Sequence, residues 1–151
     1  MKAVLQRVTH ANVVVEGELI SEIEKGFLIL LGVSGDDTKD DADVLSKKIS
    51  GMRVFEDENG KMNLSLTDIG GSVLVISQFT LLADCRKGRR PSFINAGPPD
   101  MANELYEYFC ERIKTDGIVN VKKGIFGADM KVSLLNDGPV TILLDSKELI
   151  K

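Results

Sequence analysis

Apolar residues recur with two different periods along the chain, and their succession predicts the elements. Lys2 to Val15 is rich in Val and Thr and reads as a long strand. Glu16-Gly17 is a tight turn, Glu18 to Ile23 a second strand, and Lys25-Gly26 a further turn. Phe27 to Val33 is an almost unbroken apolar run, as a strand buried on both faces requires. The opening third therefore predicts a three-strand meander. Gly35-Asp36-Asp37-Thr38 supplies loop and N-cap chemistry, after which Val44, Leu45, Ile49 and Met52 recur at helical spacing and Gly51 ends the helix. Arg53 to Phe55 is a short strand. Glu56 to Gly60, with Asn59-Gly60, is an acidic turn that lacks the alternating ligands and distal glutamate of a calcium loop and reads as a solvated hairpin turn. Gly70-Gly71 precedes a strand from Ser72 to Ile76, and a polar, basic loop runs from Ala83 to Pro91. Pro98-Pro99-Asp100 starts a second helix with Met101, Leu105, Tyr108, Phe109 and Ile113 on one face. Val119 to Val121, Met130 to Leu135 and Val140 to Leu144 read as strands, the last entered through Asn136-Asp137-Gly138-Pro139.

The order β-β-β-α-β-β-α-β-β-β predicts an α+β fold. Its sheet is mainly antiparallel and curls toward a barrel, with the two helices covering one side. The 151 residues suffice for a single domain spanning 1–151 with one buried core. No segment approaches the roughly 18 consecutive apolar residues of a membrane span. Met1 to Gln6 enters the strand pattern directly, without the apolar region or cleavage site of a signal peptide, so a cytoplasmic protein is expected. Cys85 and Cys110 form no C-x-x-C, which argues against a disulfide framework or zinc site. They read as one loop thiol and one buried helical thiol. A net charge of -4 excludes broad, charge-driven coating of nucleic acid and leaves room for a local contact only.

The usual catalytic searches return little. His10, the only histidine, lies in the first strand with no motif around it, so neither a Ser-His-Asp nor a Cys-His arrangement is supported. Metal ligands and phosphate cradles are lacking too, and no metal or cofactor is expected. Asp36-Asp37 and Glu56 to Glu58 sit in hydrophilic turns, where a carboxylate near its ordinary pKa of about 4 serves poorly as a neutral-pH acid. Catalysis, if present, must lean on backbone groups, hydroxyls or the substrate itself.

Two motifs stand out. Ser77-Gln78-Phe79-Thr80-Leu81 directly follows an apolar strand, where backbone N–H groups leave the ladder and become available to a ligand or a developing oxyanion. Read alone, it is a polar strand end that begins a loop. Asn136-Asp137-Gly138-Pro139-Val140-Thr141 is strong turn chemistry, read alone a hairpin turn.

Taken together with Met1 to Val8, Gly26 to Val33, Lys48-Ile49, Lys87 to Phe93 and Gly124 to Met130, these motifs resemble the D-aminoacyl-tRNA deacylase family along essentially the whole chain. The resemblance implies a homodimeric hydrolase that cleaves D-amino acids, and glycine mischarged on tRNA-Ala, from the 3′ end of tRNA. It implies that Gly138 and Pro139 form a Gly-cisPro element entering the partner's site, where it receives the α-amino group and rejects L side chains by steric clash. Ser77, Gln78, Phe79 and Thr80 then line the opposite wall, with the Phe79 amide, joined by Thr80, as oxyanion donor. Thr80 is the family's candidate nucleophile. The alternative, preferred here because no base accompanies Thr80, is activation of water by the 2′-hydroxyl of the terminal adenosine. Arg7 is implied to orient the Gly-Pro element. Phe126, Gly127, Ala128 and Met130 border the adenine pocket, with Phe126 stacking on the base. Asn136 and Thr141 support the turn. Arg86, Lys87, Arg89 and Arg90 are candidates for phosphate contacts on the acceptor stem. A hydrolase without chiral selection and a non-catalytic binder of the tRNA 3′ end are the rival readings.

Overall fold

The long first strand organises the sheet. In the computed structural model, which describes residues 1–150, β1 (Lys2–Val15) pairs antiparallel with β2 (Glu18–Ile23), β3 (Gly26–Gly32) and β8 (Lys131–Asp145). The pairs Ala11↔Ile23 and Val8↔Gly26 keep one register. β2 and β3 are thus one interrupted arm lying along β1, and the expected meander is instead a long hairpin. Lys25-Gly26 does not reverse the chain. Gly26 is required for another reason: a Cβ there would lie 1.8 Å from the Ser72 carbonyl oxygen. The glycine permits β6 (Ser72–Ser77) to approach, and the Ser72 amide donates to the Lys25 carbonyl at 3.0 Å.

Antiparallel pairs predominate, but β3–β6 and β6–β7 (Asn120–Lys123) are parallel. Parallel neighbours need long crossovers, and the two helices supply them: α1 (Lys39–Gly51) precedes β6 and α2 (Pro99–Thr115) precedes β7. Thr38 caps α1 as expected, accepting from the Asp40 amide while the Asp41 carboxylate accepts from the Thr38 amide. Ala42, Leu45 and Ile49 of α1 and Leu105, Phe109 and Ile113 of α2 pack on Leu5, Phe27, Ile29, Val73 and Val75. Tyr108 was expected on that inner face but lies half-buried, its hydroxyl donating to Asp43 at 2.7 Å. Tyr106, in register with Ala102 and Phe109, is the buried tyrosine.

A second apolar cluster, with Val8, Val13, Ile23, Leu28, Leu74 and Ile76, fills the other side of the sheet. β3 is thereby buried on both faces, as its apolar run predicts. The sheet curls until the Ser21 hydroxyl of β2 donates to the Lys123 carbonyl of β7 at 2.6 Å, which nearly closes the barrel.

Three details differ from expectation. The acidic turn is a hairpin turn, as expected, but it joins a strand that starts only at Phe55, β4 (Phe55–Glu56), to one that was not expected, β5 (Met62–Leu64), with Asp57 accepting from the Asn59 and Lys61 amides. A short α3 (Ser146–Leu149) follows β8. The last two expected strands are one strand, interrupted by a bulge. No helix of the described residues is long and apolar enough to cross a membrane.

Candidate active site

The carboxyl ends of the parallel strands β3 and β6 open into a cavity of about 690 Å³. Crevices at such strand ends are common ligand sites in sheets with parallel strands. One wall is Ser77, Gln78 and Phe79; the facing wall is Phe126, Gly127, Ala128 and Met130. Residues separated by some fifty positions are thus brought together around one cavity. Phe93, Pro98 and Tyr106 also line the cavity and were not singled out in the sequence. Tyr106 donates its hydroxyl to the Val75 carbonyl at 2.7 Å, and its ring lies 5.9 Å from that of Phe126. Burial pushes the Tyr106 phenol far above its usual range, so it stays protonated and serves to hold the wall.

The first wall carries unused donors. After Ser77 the Gln78 amide still bonds to Leu31, at 2.8 Å. The chain then enters a 3₁₀ turn, Phe79–Leu82, whose bonds are donated by later amides: Leu81 to the Gln78 carbonyl and Ala83 to the Thr80 carbonyl. Among the described residues the Phe79 and Thr80 amides have no acceptor. A helical turn leaves its first donors unpaired in this way; Phe79 lines the apolar hollow, whereas Thr80, expected in the same wall, is not among the residues that line it. The Thr80 hydroxyl accepts from the Gln78 side-chain amide, with no imidazole or carboxylate bonded to it. His10 is exposed, and among the described residues its ring has a hydrogen bond to the Thr9 hydroxyl alone.

Gly138 and Pro139 form a separate cluster that does not line the cavity of their own chain. The β1–β8 register jumps from Val8↔Asn136 to Gln6↔Thr141, so residues 137–140 bulge out opposite Arg7 alone. Their peptide bond is cis, and both residues are exposed. Arg7, only 5% exposed, anchors the bulge: Nε donates to the Asp137 carbonyl at 3.1 Å and Nη1 to the Val54 carbonyl at 2.7 Å. The Asn136 side-chain amide donates to the Arg7 and Val140 carbonyls, both at 3.0 Å, and Thr141 donates to Asn136 at 3.5 Å.

With both clusters described, the family model for D-Tyr-tRNA(Tyr) deacylase matches residues 4–145. The chain belongs to this family. Among its relatives, a protein of Thermosipho africanus named D-aminoacyl-tRNA deacylase is 57% identical over 149 residues, covering 99% of each chain. One of the same name from Thermus aquaticus is 56% identical, covering 98% of this chain and 97% of its own. A solved structure titled c-Myc DNA Unwinding Element Binding Protein superposes with a TM-score of 0.90 at 46% identity, covering 96% of this chain and 98% of its own. A structure described as a probable eukaryotic D-amino acid tRNA deacylase reaches 0.81 at 16% identity, covering 95% and 97%, which speaks to the fold alone.

In this member of the deacylase family the cationic loop follows the 3₁₀ turn. Asp84 and Ser92 exchange amide hydrogen bonds at its base, and Gly88, with φ of +66°, turns its tip. Arg86 is engaged: its guanidinium donates to both Asp84 oxygens, at 2.9 and 2.7 Å. Lys87, Arg89 and Arg90 are exposed and have no ion-pair partner among the described residues, so three of the four charges are free.

Proposed function

We propose that this protein hydrolyses the ester joining a D-amino acid to the terminal adenosine of tRNA, releasing the amino acid and free tRNA. The observation that carries the reading is the acceptor-less amide of Phe79, in the wall of the apolar cavity, followed in the chain by that of Thr80. It is supported by a near full-length relative, 57% identical, that is named D-aminoacyl-tRNA deacylase. Water adds to the ester carbonyl, the two amides donate to the oxyanion, and the bond to the ribose oxygen breaks as that oxygen takes up a proton. Thr80, whose hydroxyl is bonded only to an amide, has no group to take its proton. The 2′-hydroxyl of the terminal adenosine therefore orients and activates the water. Phe126 stacks on the adenine, with Gly127, Ala128 and Met130 around it.

Handedness is filtered by main chain. In a homodimer the exposed Gly138–Pro139 bulge of one copy enters the cavity of the other, and its carbonyls receive the α-ammonium group. An L side chain then collides with the bulge, whereas a D side chain points to solvent. Glycine has nothing to collide, so glycine mischarged on tRNA-Ala is also a substrate. Leu135 and Leu143, 48% and 74% exposed on β8 either side of the bulge, suit burial against a second copy. Lys87, Arg89 and Arg90 contact acceptor-stem phosphates, whereas Arg86, already paired with Asp84, is left out of that contact. The protein works in the cytoplasm, on aminoacyl-tRNA.

Single-turnover cleavage of D-tyrosyl-tRNA and L-tyrosyl-tRNA tests the proposal. Rapid loss of the D ester with the L ester spared is expected. Equal rates refute chiral selection, and binding without cleavage leaves only a 3′-end binding module.

A further inference from the structure

Phe93 belongs to neither wall motif, yet its ring packs edge-on against Phe79, with centroids 5.0 Å apart and planes at 69°. Phe79 needs such a partner. Phe79 is 58% exposed and opens a turn of only four residues, so its ring has few other neighbours, while the main chain is held on either side by the Gln78 amide on Leu31 and by the bonds of the turn. Phe93 is itself firmly seated. The Ser92 amide donates to the Asp84 carbonyl at 2.9 Å, and the Ala96 amide donates to the Phe93 carbonyl at 3.0 Å. The Gly97 amide ties the segment to the end of β3 through the Val33 carbonyl, at 2.9 Å. Phe93 is therefore the joint between the loop bearing Lys87, Arg89 and Arg90 and the wall bearing the unpaired amides.

We propose that Phe93 is a positioning residue: its edge contact fixes the Phe79 amide and transmits the grip of the cationic loop on tRNA phosphates to the reacting centre. The inference rests on the oxyanion role proposed above for Phe79. Phe93 also lines the cavity, but the role proposed for it is exerted through Phe79 and not on the reacting atoms. A displacement of about 1 Å in a catalytic group costs on the order of 100-fold in rate. Loosening one side of the Phe79 ring is a smaller perturbation, so about a tenfold loss is expected.

The test is deacylation of D-tyrosyl-tRNA, and of D-tyrosyl-adenosine, which lacks phosphates, by Phe93→Ala, Phe93→Leu and Phe93→Tyr. Expected on both substrates is an approximately tenfold fall in kcat for Ala and Leu, with KM moving less than about twofold. Tyr, which keeps the ring edge, restores kcat to within about twofold. In the native background, replacing Arg89 and Arg90 by Ala lowers kcat on tRNA and raises KM; with Phe93→Leu it raises KM alone. An unchanged kcat in Phe93→Leu, a loss confined to KM, or failure of Tyr to restore overturns the inference. Should Phe93→Ala not fold, Leu and Tyr keep the apolar bulk and decide the matter. Phe79→Pro, which deletes the amide at a position with no acceptor to lose, separates the two claims when set against Phe79→Leu. If Phe79→Pro matches Phe79→Leu, the oxyanion reading fails. If it is inactive while Phe93→Leu keeps the native kcat, only the positioning role fails.

Discussion

Replacing Gly138 by alanine tests whether the bulge is a fixed object. Its φ of +126° lies where L side chains are rarely found, and a Cβ would meet Arg7 Nη2 at 2.9 Å, Val140 Cγ2 at 3.0 Å and the Val140 nitrogen at 3.2 Å. Arg7 cannot swing aside cheaply, because it is buried and bonded to the Val54 and Asp137 carbonyls. Backbone strain of this kind costs about 1–3 kcal/mol, and overpacking about as much again. A total near 3 kcal/mol is expected, which lowers the melting temperature by about 10 °C in a chain of this length. Gly60→Ala is the control. Its φ is +74° with nothing within 4 Å of the added Cβ, so strain acts without crowding. It should cost only about 1–2 kcal/mol. Melting curves of both variants measure the difference, and tyrosyl-tRNA cleavage well below the transition reads the consequence. In Gly138→Ala the D-ester rate should fall on the order of 100-fold, as a displaced positioning element demands. If Gly138→Ala melts no lower than Gly60→Ala, or cleaves at the native rate with native discrimination, the bulge is neither rigid nor the filter.

Asp41 sets an acid limit on stability. Burial pushes its carboxyl up, but hydrogen bonds from the Ser146 hydroxyl, the Thr38 amide and Lys147 outweigh this and hold it at about 2, below the usual 3.8. A depressed folded-state value gives stability that is complete above the unfolded pKa and lost as pH falls through about 2. Asp41→Asn should therefore cost about 2 kcal/mol at pH 7, with the gap to the native protein shrinking between about pH 4 and 2 in denaturant titrations. Neutralising Arg89 and Arg90 should weaken tRNA binding and reduce the slope of log affinity against log salt by about 1.5. An unchanged slope would remove them from the phosphate contacts. Phe126→Ala should raise KM about tenfold or more through lost stacking, with kcat much less affected. A fall in kcat alone would place Phe126 in the wall's packing instead.

Some of this architecture was legible in local chemistry and some was not, and the misreadings share a cause. The apolar run Phe27 to Val33 specified a doubly buried strand because only burial on both faces tolerates it. Thr38 specified a helix start because its side chain satisfies a donor nearby in sequence. Gly26 was misread because a glycine in a strand signals either a turn or the close approach of another chain segment. The segment in question, Ser72, lies 46 positions away. Asn136 to Pro139 was misread for a related reason. The same residues suit a reversal and a bulge, and which one forms depends on β1 continuing to pair on both sides, with Arg7 bonded to the gap. The walls of the cavity were reached through family resemblance, since nothing local to Ser77–Phe79 points to Phe126–Met130. Nothing local distinguishes Phe93 within Lys87 to Phe93, because its ring meets that of a residue fourteen positions earlier.

That contrast bears on the chemistry. Catalytic side chains can be sought in sequence because an imidazole or thiol has few other reasons to sit where it does. Here the unpaired donors are main-chain amides, which every residue but proline carries. What distinguishes Phe79 and Thr80 is that a strand ends and a tight turn begins there, leaving no acceptor within reach. The same holds for the bulge, whose exposed Gly138 and Pro139 are flanked by main chain that Arg7 and Asn136 hold in place. A site of this kind is more sensitive to substitutions that move the backbone than to those that change a reactive group. Thr80→Val, which removes the hydroxyl and keeps the amide, should thus retain D-tyrosyl-tRNA cleavage to within about tenfold, whereas Gly138→Ala should not. Loss of activity on the order of 1,000-fold in Thr80→Val would reverse that ranking and make the hydroxyl the nucleophile.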